Sequence, residues 1–545
     1  MPRGKASTMM KEAEREIAGQ ARQREHAAAH RPRVVMLLAN HFIHDTRVYK
    51  EACSLIGWGC EVHVLAMARR DLPKYERNDG IHVHRLARST RLLWILPVAL
   101  ACWWCRPVLR YLFSAPGAGD QRQSARGVRA FARRIRSSIR AVWRRMRFLA
   151  GRVGALFLFL FRFLFGSPVV IASQRPFKRL FIALQRRLKR LKRLFPTSFG
   201  LLACNIQFAR KALALNPDIV ESHDLNTLMA GAIVKRLTGI PLVYDSHELF
   251  LERNLGDRSR AWDNAVWAPI ERFCIRKCDA VLSVSESICQ HLARQYNIPK
   301  PHLIRNVQPY EPPPAPTTIL ADELGISGDR PIVLFPGLIT VNRGLEMMID
   351  SAPFLNGAVY VIMGYARNPR YLESLKQRAR ELGQLNRCVF FREAVAIDQV
   401  VRYSASADLG IIPTPNVCLS YYYGLGNKHF HLLMAGVPLV ASDHPEQRML
   451  IETYAVGAIF DETDPQDIAR VVNDTLTNRR ALKEMRQRCL VAAKSLNWEH
   501  EEKKLRQVFS ALPGPRTSQV PNAVLSGATT SIGTATCGKT PLQAR

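Results

Sequence analysis

A chain of 545 residues has room for two domains and more, and its 47% apolar content is that of a globular protein. A formal net charge of +33 is more than a freely soluble enzyme needs, and twelve cysteines without a paired framework exclude a disulfide scaffold and point to a reducing compartment. Neither Cys102-x-x-Cys105 nor the Cys274/Cys278 pair has a second pair to complete a zinc site, so both read as packing residues.

Residues 1–31 are polar and rich in Ala, Arg and Glu, a tail without a cleavable signal sequence. Arg33–Ala39 is expected to be a buried strand, and the spacing of Val48, Ala52, Leu55 and Ile56 predicts a helix from about Asp45 that ends at Gly57 and Gly59. Glu61–Ala66 is the next strand. After an interruption at 91–196, strands are expected at Asp218–Ser222, Leu242–Asp245 and Ala280–Ser283, with a helix at Leu225–Leu237. The proline-dense run Pro309–Pro316 closes this half. In the second half, strands are expected at Pro331–Phe335, Val359–Met363, Cys388–Phe391, Leu409–Ile412, Leu439–Ala441 and Ala458–Phe460. This alternation predicts an α/β protein with two Rossmann-like domains, 32–90 plus 197–308 and 331–511, joined by a linker at 309–330. The two domains would face each other across a cleft at the carboxyl ends of both sheets. Residues 512–545 are Gly-, Ser-, Thr- and Pro-rich without periodicity, the composition of a disordered tail.

The interruption concentrates the charge. Residues 91–196 hold 24 Lys and Arg against one acidic residue, Asp120, which is +23 of the +33. Val128, Phe131, Ile135, Ile139, Val142, Met146 and Leu149 recur at helical spacing with arginines on the remaining face, and Phe177, Phe181, Leu184, Leu188, Leu191 and Phe195 form a second such stripe. Basic amphipathic helices with aromatic anchors lie in a membrane interface, where each nearby cation adds about 1 kcal/mol on an anionic leaflet. Between them, residues 156–172 are apolar apart from Arg162, which favours a shallow or re-entrant insertion over a full span. Nucleic-acid binding would account for the charge but not for the apolar stripes.

The densest signal lies in LSYYYGLGNKHFHLLMAGVPLVASDHPE, from Leu419 to Glu446. It reads as a Gly-rich approach, a helix at Lys428–Ala435, a Gly-Val-Pro turn and a buried strand, with a basic residue at a helix start as in many phosphate sites. Asn427, Lys428, Phe430, Ala435, Gly436, Pro438 and Ser442 stand as in P-N-K-x-F-E-Y-x-A-A-G-x-P-V-V-A-S, and the string resembles the donor-site signature of family 4 glycosyltransferases of the GT-B fold. The segments NHFIHDTRVYKEACSLIGWGCEVHVLA, ESHDLNTL, PLVYDSHELF and CDAVLSVSESI are similar to the first domain of the same family, which has no counterpart to the basic insertion.

The resemblance implies a retaining transfer of sugar from a nucleotide-sugar co-substrate, with cationic side chains and helix N-termini in place of a metal or other cofactor. In FPGLITVNRGLE, Gly337 permits close backbone approach and Arg343-Gly344 opens a helix. Arg343 and Lys428 are the expected diphosphate pair, acting where leaving-group charge develops. With them, Tyr423, Asn427, His431 and Glu446 make up the donor side. Many family members carry two glutamates where this chain has Tyr423 and His431, and proline where it has Gly426. A tyrosine or a histidine bonds a hydroxyl, but neither offers the two acceptors of a carboxylate. On the other wall, the resemblance places His223 at the reacting centre, and His44, Asp45, Arg47, His247 and Glu248 form the acceptor side.

These features together predict a glycosyltransferase on the cytoplasmic face of the inner membrane. Its partners would be a nucleotide-sugar, a membrane-associated glycan acceptor (a lipid-linked or polysaccharide precursor) and an anionic lipid surface, with no nucleic acid. A nucleotide-sugar epimerase of the same fold and a catalytically weakened nucleotide-binding scaffold are the alternatives, the second favoured by Tyr423 and His431.

Overall fold

The computed structural model describes residues 31–43, 45–87, 196–254, 260–327 and 329–514. The amphipathic helices and the apolar stretch expected within 91–196, and the expected tails but for their inner ends at Arg31 and 512–514, lie outside the described residues. Residues 88–204 separate as a unit of their own, of which the described part is the start of the helix Pro196–Ala214. Both sheets belong to the other unit.

The first sheet has eight strands: β1 (Arg33–Leu37), β2 (Glu61–Met67), β3 (Tyr75–Asn78), β4 (Ile81–Leu86), β5 (Ile219–His223), β6 (Leu242–Ser246), β7 (Ala280–Ser283) and β8 (His302–Leu303). Their order is β3-β4-β2-β1-β5-β6-β7-β8, parallel except for β3, which pairs antiparallel to β4. Sequence reasoning missed this hairpin, although Asp79 and Gly80, both at positive φ, are the usual signal for a tight turn. Val34, Val35, Met36 and Leu37 of β1 are all fully buried, the pattern of a parallel strand covered on both faces. The helices that matter for the site are α1 (Thr46–Gly57), α2 (Leu225–Thr238) and α3 (Glu286–Tyr296).

The second sheet has six parallel strands: β9 (Ile332–Pro336), β10 (Val359–Gly364), β11 (Val389–Glu393), β12 (Leu409–Ile412), β13 (Leu439–Ser442) and β14 (Gly457–Phe460), in the order β11-β10-β9-β12-β13-β14. Strict alternation sends Leu334, Val361 and Ile412 to one core and Phe335, Ile362 and Ile411 to the other. Its site-bearing helices are α4 (Leu345–Ser351), α5 (Asn427–Met434) and α6 (Pro445–Tyr454). Strand order reverses at β1/β5 and at β9/β12, and in open α/β sheets ligands bind at such switch points, beyond the carboxyl ends of the strands.

The second half does not end as a domain at residue 511. Helix α7 (Trp498–Ser510) returns to the first sheet, where Trp498 Nε1 donates to Ser54 Oγ at 3.0 Å and Leu505, Val508 and Phe509 join the core around Val48 and Leu55. The apolar face of α7 found its partner in α1, which lies more than four hundred residues earlier in the chain.

Candidate active site

At the first switch point the apolar face under α1 turns polar. Alternation puts Glu221 and His223 of β5 and Asp245 of β6 on that face, with His223 and Asp245 in register. Helix α1 lays Arg47 and Glu51, one turn apart, over them. Arg47 is buried and binds Asp245 through two contacts of 2.7 Å, donates to the Ile304 carbonyl at 2.8 Å and lies 3.2 Å from Glu51. Burial alone would raise the Asp245 carboxyl, but Arg47 and then His247 outweigh it and hold it well below the usual carboxylate range. His247 Nε2 lies 2.8 Å from Asp245, and its Nδ1 lies 3.6 Å from Asp224. Against the effect of burial, these two carboxylates, Asp224 first, raise its imidazole to about 10.

Asp224 itself sits at φ 61°, ψ 163°, a conformation that almost only glycine adopts without strain. Its amide donates to the Asp245 carbonyl at 2.8 Å and its carboxylate accepts from the His247 amide at 3.1 Å. These bonds fix the ends of β5 and β6 to each other. Backbone strain of this kind, held by surrounding bonds, is common at ligand sites.

Across from this floor, the second domain brings its own loops together. A Cβ on Gly337 would stand 3.2 Å from Lys428 Cδ, so the missing side chain is what lets the lysine lie against the end of β9. Lys428 Nζ is 4.3 Å above the Phe335 ring. Gly344 has φ 72° and packs against the Pro413 carbonyl, where any side chain would collide. Arg343, beside it, stacks 4.8 Å over Tyr421, and its Nε is buried with no hydrogen-bond partner among the described residues. Burial, and then the charge of Arg343, pushes the Lys428 ammonium well below its ordinary range. Arg343 also lies in the field of Glu248, but neither it nor Lys428 makes an ion pair with a carboxylate among the described residues, and two basic side chains so placed make a site for an anion.

The domains meet through polar contacts at this place. Asn342 Nδ2 donates to Asn254 Oδ1 at 3.1 Å, and Asn254 Nδ2 donates to the Tyr421 hydroxyl at 3.2 Å. Ser285 Oγ donates to the Tyr423 carbonyl at 2.6 Å, and the Ser287 amide donates to Glu446 Oε1 at 2.6 Å.

The expected site residues therefore fall into groups. Arg343, Gly344, Gly337 and Lys428 come together, with Asn427 as the first residue of α5. Glu446 caps the N-terminus of α3 in the other domain. Tyr423 offers its carbonyl to Ser285 while its ring lies 5.9 Å from that of His291. His431 is lowered to about 4 by burial and then by Lys50 of α1. Glu248 is raised to about 7, by burial first and by Asp224 next. His44 lies outside the described residues. Asp45 caps α1, accepting from the Val48 amide at 3.2 Å.

Three expectations need correction. Arg47 was expected on the acceptor side, but it is sealed beneath the floor by Asp245 and Glu51. His223 was expected to contact the donor sugar, but β5 runs one residue further than its hydrophobic pattern suggests, so His223 ends the strand facing α1 and is fully buried. His247 was expected on the acceptor side, but its Nε2 is held by Asp245 at 2.8 Å, and only Nδ1, 3.6 Å from Asp224, is left without a hydrogen bond to it. Sequence reasoning also missed Glu51, Glu221 and Asp245. The signals were present: Glu51 is one helical turn from Arg47, and Glu221 is one strand repeat from His223.

Two doubly wound domains with a cationic pair between their carboxyl edges define a nucleotide-binding transferase architecture of the GT-B type. The family profile Glycosyltransferase Family 4 matches residues 166–307, and Glycosyl transferases group 1 matches 317–495, together more than half of the chain. The protein belongs to glycosyltransferase family 4. It is 25% identical over 310 residues to the alpha-maltose-1-phosphate synthase of Mycolicibacterium smegmatis, covering 53% of this chain and 78% of that one. It is 24% identical over 273 residues to the GDP-mannose-dependent alpha-(1-6)-phosphatidylinositol monomannoside mannosyltransferase of the same organism, covering 48% and 70%. Among solved structures, the sucrose-phosphate synthase of Thermosynechococcus elongatus has the same fold, with a TM-score of 0.58 at 13% identity over 88% of this chain and 98% of that one.

Proposed function

We propose that this glycosyltransferase moves a sugar from a nucleotide-sugar to a membrane-associated glycan acceptor, with retention and without a metal at the diphosphate. The observation that carries the reading is the Arg343/Lys428 pair, both half-buried and neither in an ion pair with a carboxylate among the described residues. A departing nucleoside diphosphate supplies the missing negative charge just as the glycosidic bond breaks, so the pair stabilises the transition state more than the ground state. The relative named as GDP-mannose-dependent supports a nucleotide-sugar, and its phosphatidylinositol monomannoside acceptor supports a membrane partner.

A panel of nucleotide-sugars tested by thermal shift in excess EDTA identifies the donor. One of them should raise Tm by a few degrees, since a ligand at a hundred times its Kd stabilises by about 2.7 kcal/mol. No response to any donor in EDTA, with a response to one in Mg2+ or Mn2+, would overturn the metal-free reading. Product analysis with that donor separates transfer from epimerisation, and binding without turnover would identify a scaffold.

The acceptor reading rests on residues 91–196, whose basic apolar stripes in the sequence support a position on the cytoplasmic leaflet of the inner membrane. No described helix is long and apolar enough to cross a membrane. Anionic liposomes should recruit the full chain, and high salt should weaken that binding without abolishing it, because charge is screened and apolar burial is not. A chain lacking 91–196 should bind nucleotide, stay off the liposomes and lose more activity on a lipid-linked acceptor than on a soluble one. Liposome binding that survives the deletion would remove the main support for a membrane acceptor.

A further inference from the structure

The floor under the first switch point contains more carboxylate than its cations neutralise. Arg47 is committed to Asp245 and the Ile304 carbonyl, and His247 lies between Asp245 and Asp224. That leaves Glu51, Glu221 and His223, all fully buried. Both oxygens of Glu51, both of Glu221, and His223 Nε2 have no hydrogen-bond partner among the described residues. Glu51 retains its ion pair with Arg47 at 3.2 Å, whereas the nearest basic atom given to Glu221 is His223 Nε2 at 3.8 Å. One ligand-type atom from each of the three residues lies within 4.8 Å of the others. Burial pushes both glutamates up, and an ionised pair here requires a counter-charge from elsewhere.

We propose that Glu51, Glu221 and His223 hold a divalent transition-metal cation that ties α1 to β5 beneath the carboxyl edge of the first sheet. Two carboxylates and an imidazole form a ligand set for such ions, and a divalent charge neutralises both glutamates while Arg47 stays on Asp245. The 3.8 Å separation is a little wider than the roughly 3.4 Å of two ligands about 2.1 Å from one tetrahedral ion, and a small side-chain rotation closes it. The surroundings of His223 suit the role. Its Nδ1 lies 3.3 Å from Asp245 Oδ2, 3.2 Å from His247 Nε2 and 3.9 Å from Glu51 Oε2; the tautomer with its hydrogen on Nδ1 donates to Asp245 and leaves the Nε2 lone pair, 3.8 Å from Glu221, for a metal, the arrangement that orients metal-binding histidines. A protonated Glu221 would supply one donor for Nε2 but nothing for Glu51, whereas one cation engages all three side chains. Sealed from solvent, the ion is structural and does not contact the diphosphate.

Elemental analysis of the tag-free full chain, purified without added metal, should find about one equivalent of a single divalent ion per chain. Glu221→Gln and Glu51→Gln should lose it. His84→Gln should keep it, although His84 Nε2 stands 3.0 Å from His63 Nδ1 on the opposite face of the sheet and is the obvious rival chelator. Should the glutamate variants fail to fold, wild-type protein from cobalt-supplemented medium should show the visible d–d bands of a protein-bound Co2+ ion. A folded wild type without metal or cobalt bands would overturn the proposal. So would a metal that stays in folded Glu221→Gln, or one that leaves with His84→Gln.

Discussion

Lys428→Ala and Arg343→Ala should each lower turnover by about 100-fold or more, the loss typical of removing one preorganised donor at a developing negative charge. Stability should not follow activity. Each cation lies in the field of the other, and burial already disfavours the charge on Lys428, so removing either relieves a repulsion in the unliganded protein. The unliganded variants should therefore melt near the wild type and lose the rise in Tm that the donor produces. Loss of packing over Phe335 is a separate effect, and Lys428→Met isolates it by keeping the stem without the charge. Full activity in both alanine variants would show that the pair does not meet the diphosphate.

Asp245→Ala should destabilise the protein by about 3–5 kcal/mol, because it strands Arg47 and His247 in a buried site without their shared counter-charge. A domain is stable by only about 5–15 kcal/mol, so poor recovery of folded protein is expected, with Asp245→Asn less severe. The signs of the pH effects follow from the shifts. Asp245 titrates lower in the folded state than in the unfolded chain, so its contribution is present above about pH 4 and is lost as pH falls through the folded value. His247 titrates higher when folded, so its contribution is complete below about pH 6.5 and is lost as pH rises through about 10. Denaturant midpoints across pH should therefore show a stability shoulder on the alkaline side that Asp245→Ala diminishes, with Asp224 still raising His247. A cost below about 1 kcal/mol would mean that the cluster is not charged in the folded protein.

The donor side was the part most legible in the sequence. Gly337, Arg343-Gly344 and the Asn427–Lys428 helix start are local signals: a close approach, a positive φ and a first helical turn are each requirements of a few adjacent residues. The floor of the first domain was less legible. A strand residue faces solvent, cleft or helix according to where its strand ends, and a difference of one residue at β5 decided that His223 points under α1. Arg47 reads as a cleft residue while Asp245, nearly two hundred positions away, is not known to lie beside it.

By itself, the sequence determined the βαβ punctuation of both sheets, because hydrophobic periodicity and turn residues act over a few positions, and the donor loop, because a phosphate site needs glycine and a cation in fixed local order. It also located the charge, +23 within residues 91–196, which no folding event changes. Only the tertiary structure decided which polar residues face each other. It paired Arg47 with Asp245, placed Glu221 beside His223, set Glu446 on α3 rather than on a free cleft wall, and laid α7 on α1. Those contacts join segments distant in the chain, and their energies depend on burial and mutual charge. Neither quantity exists until the sheets have assembled.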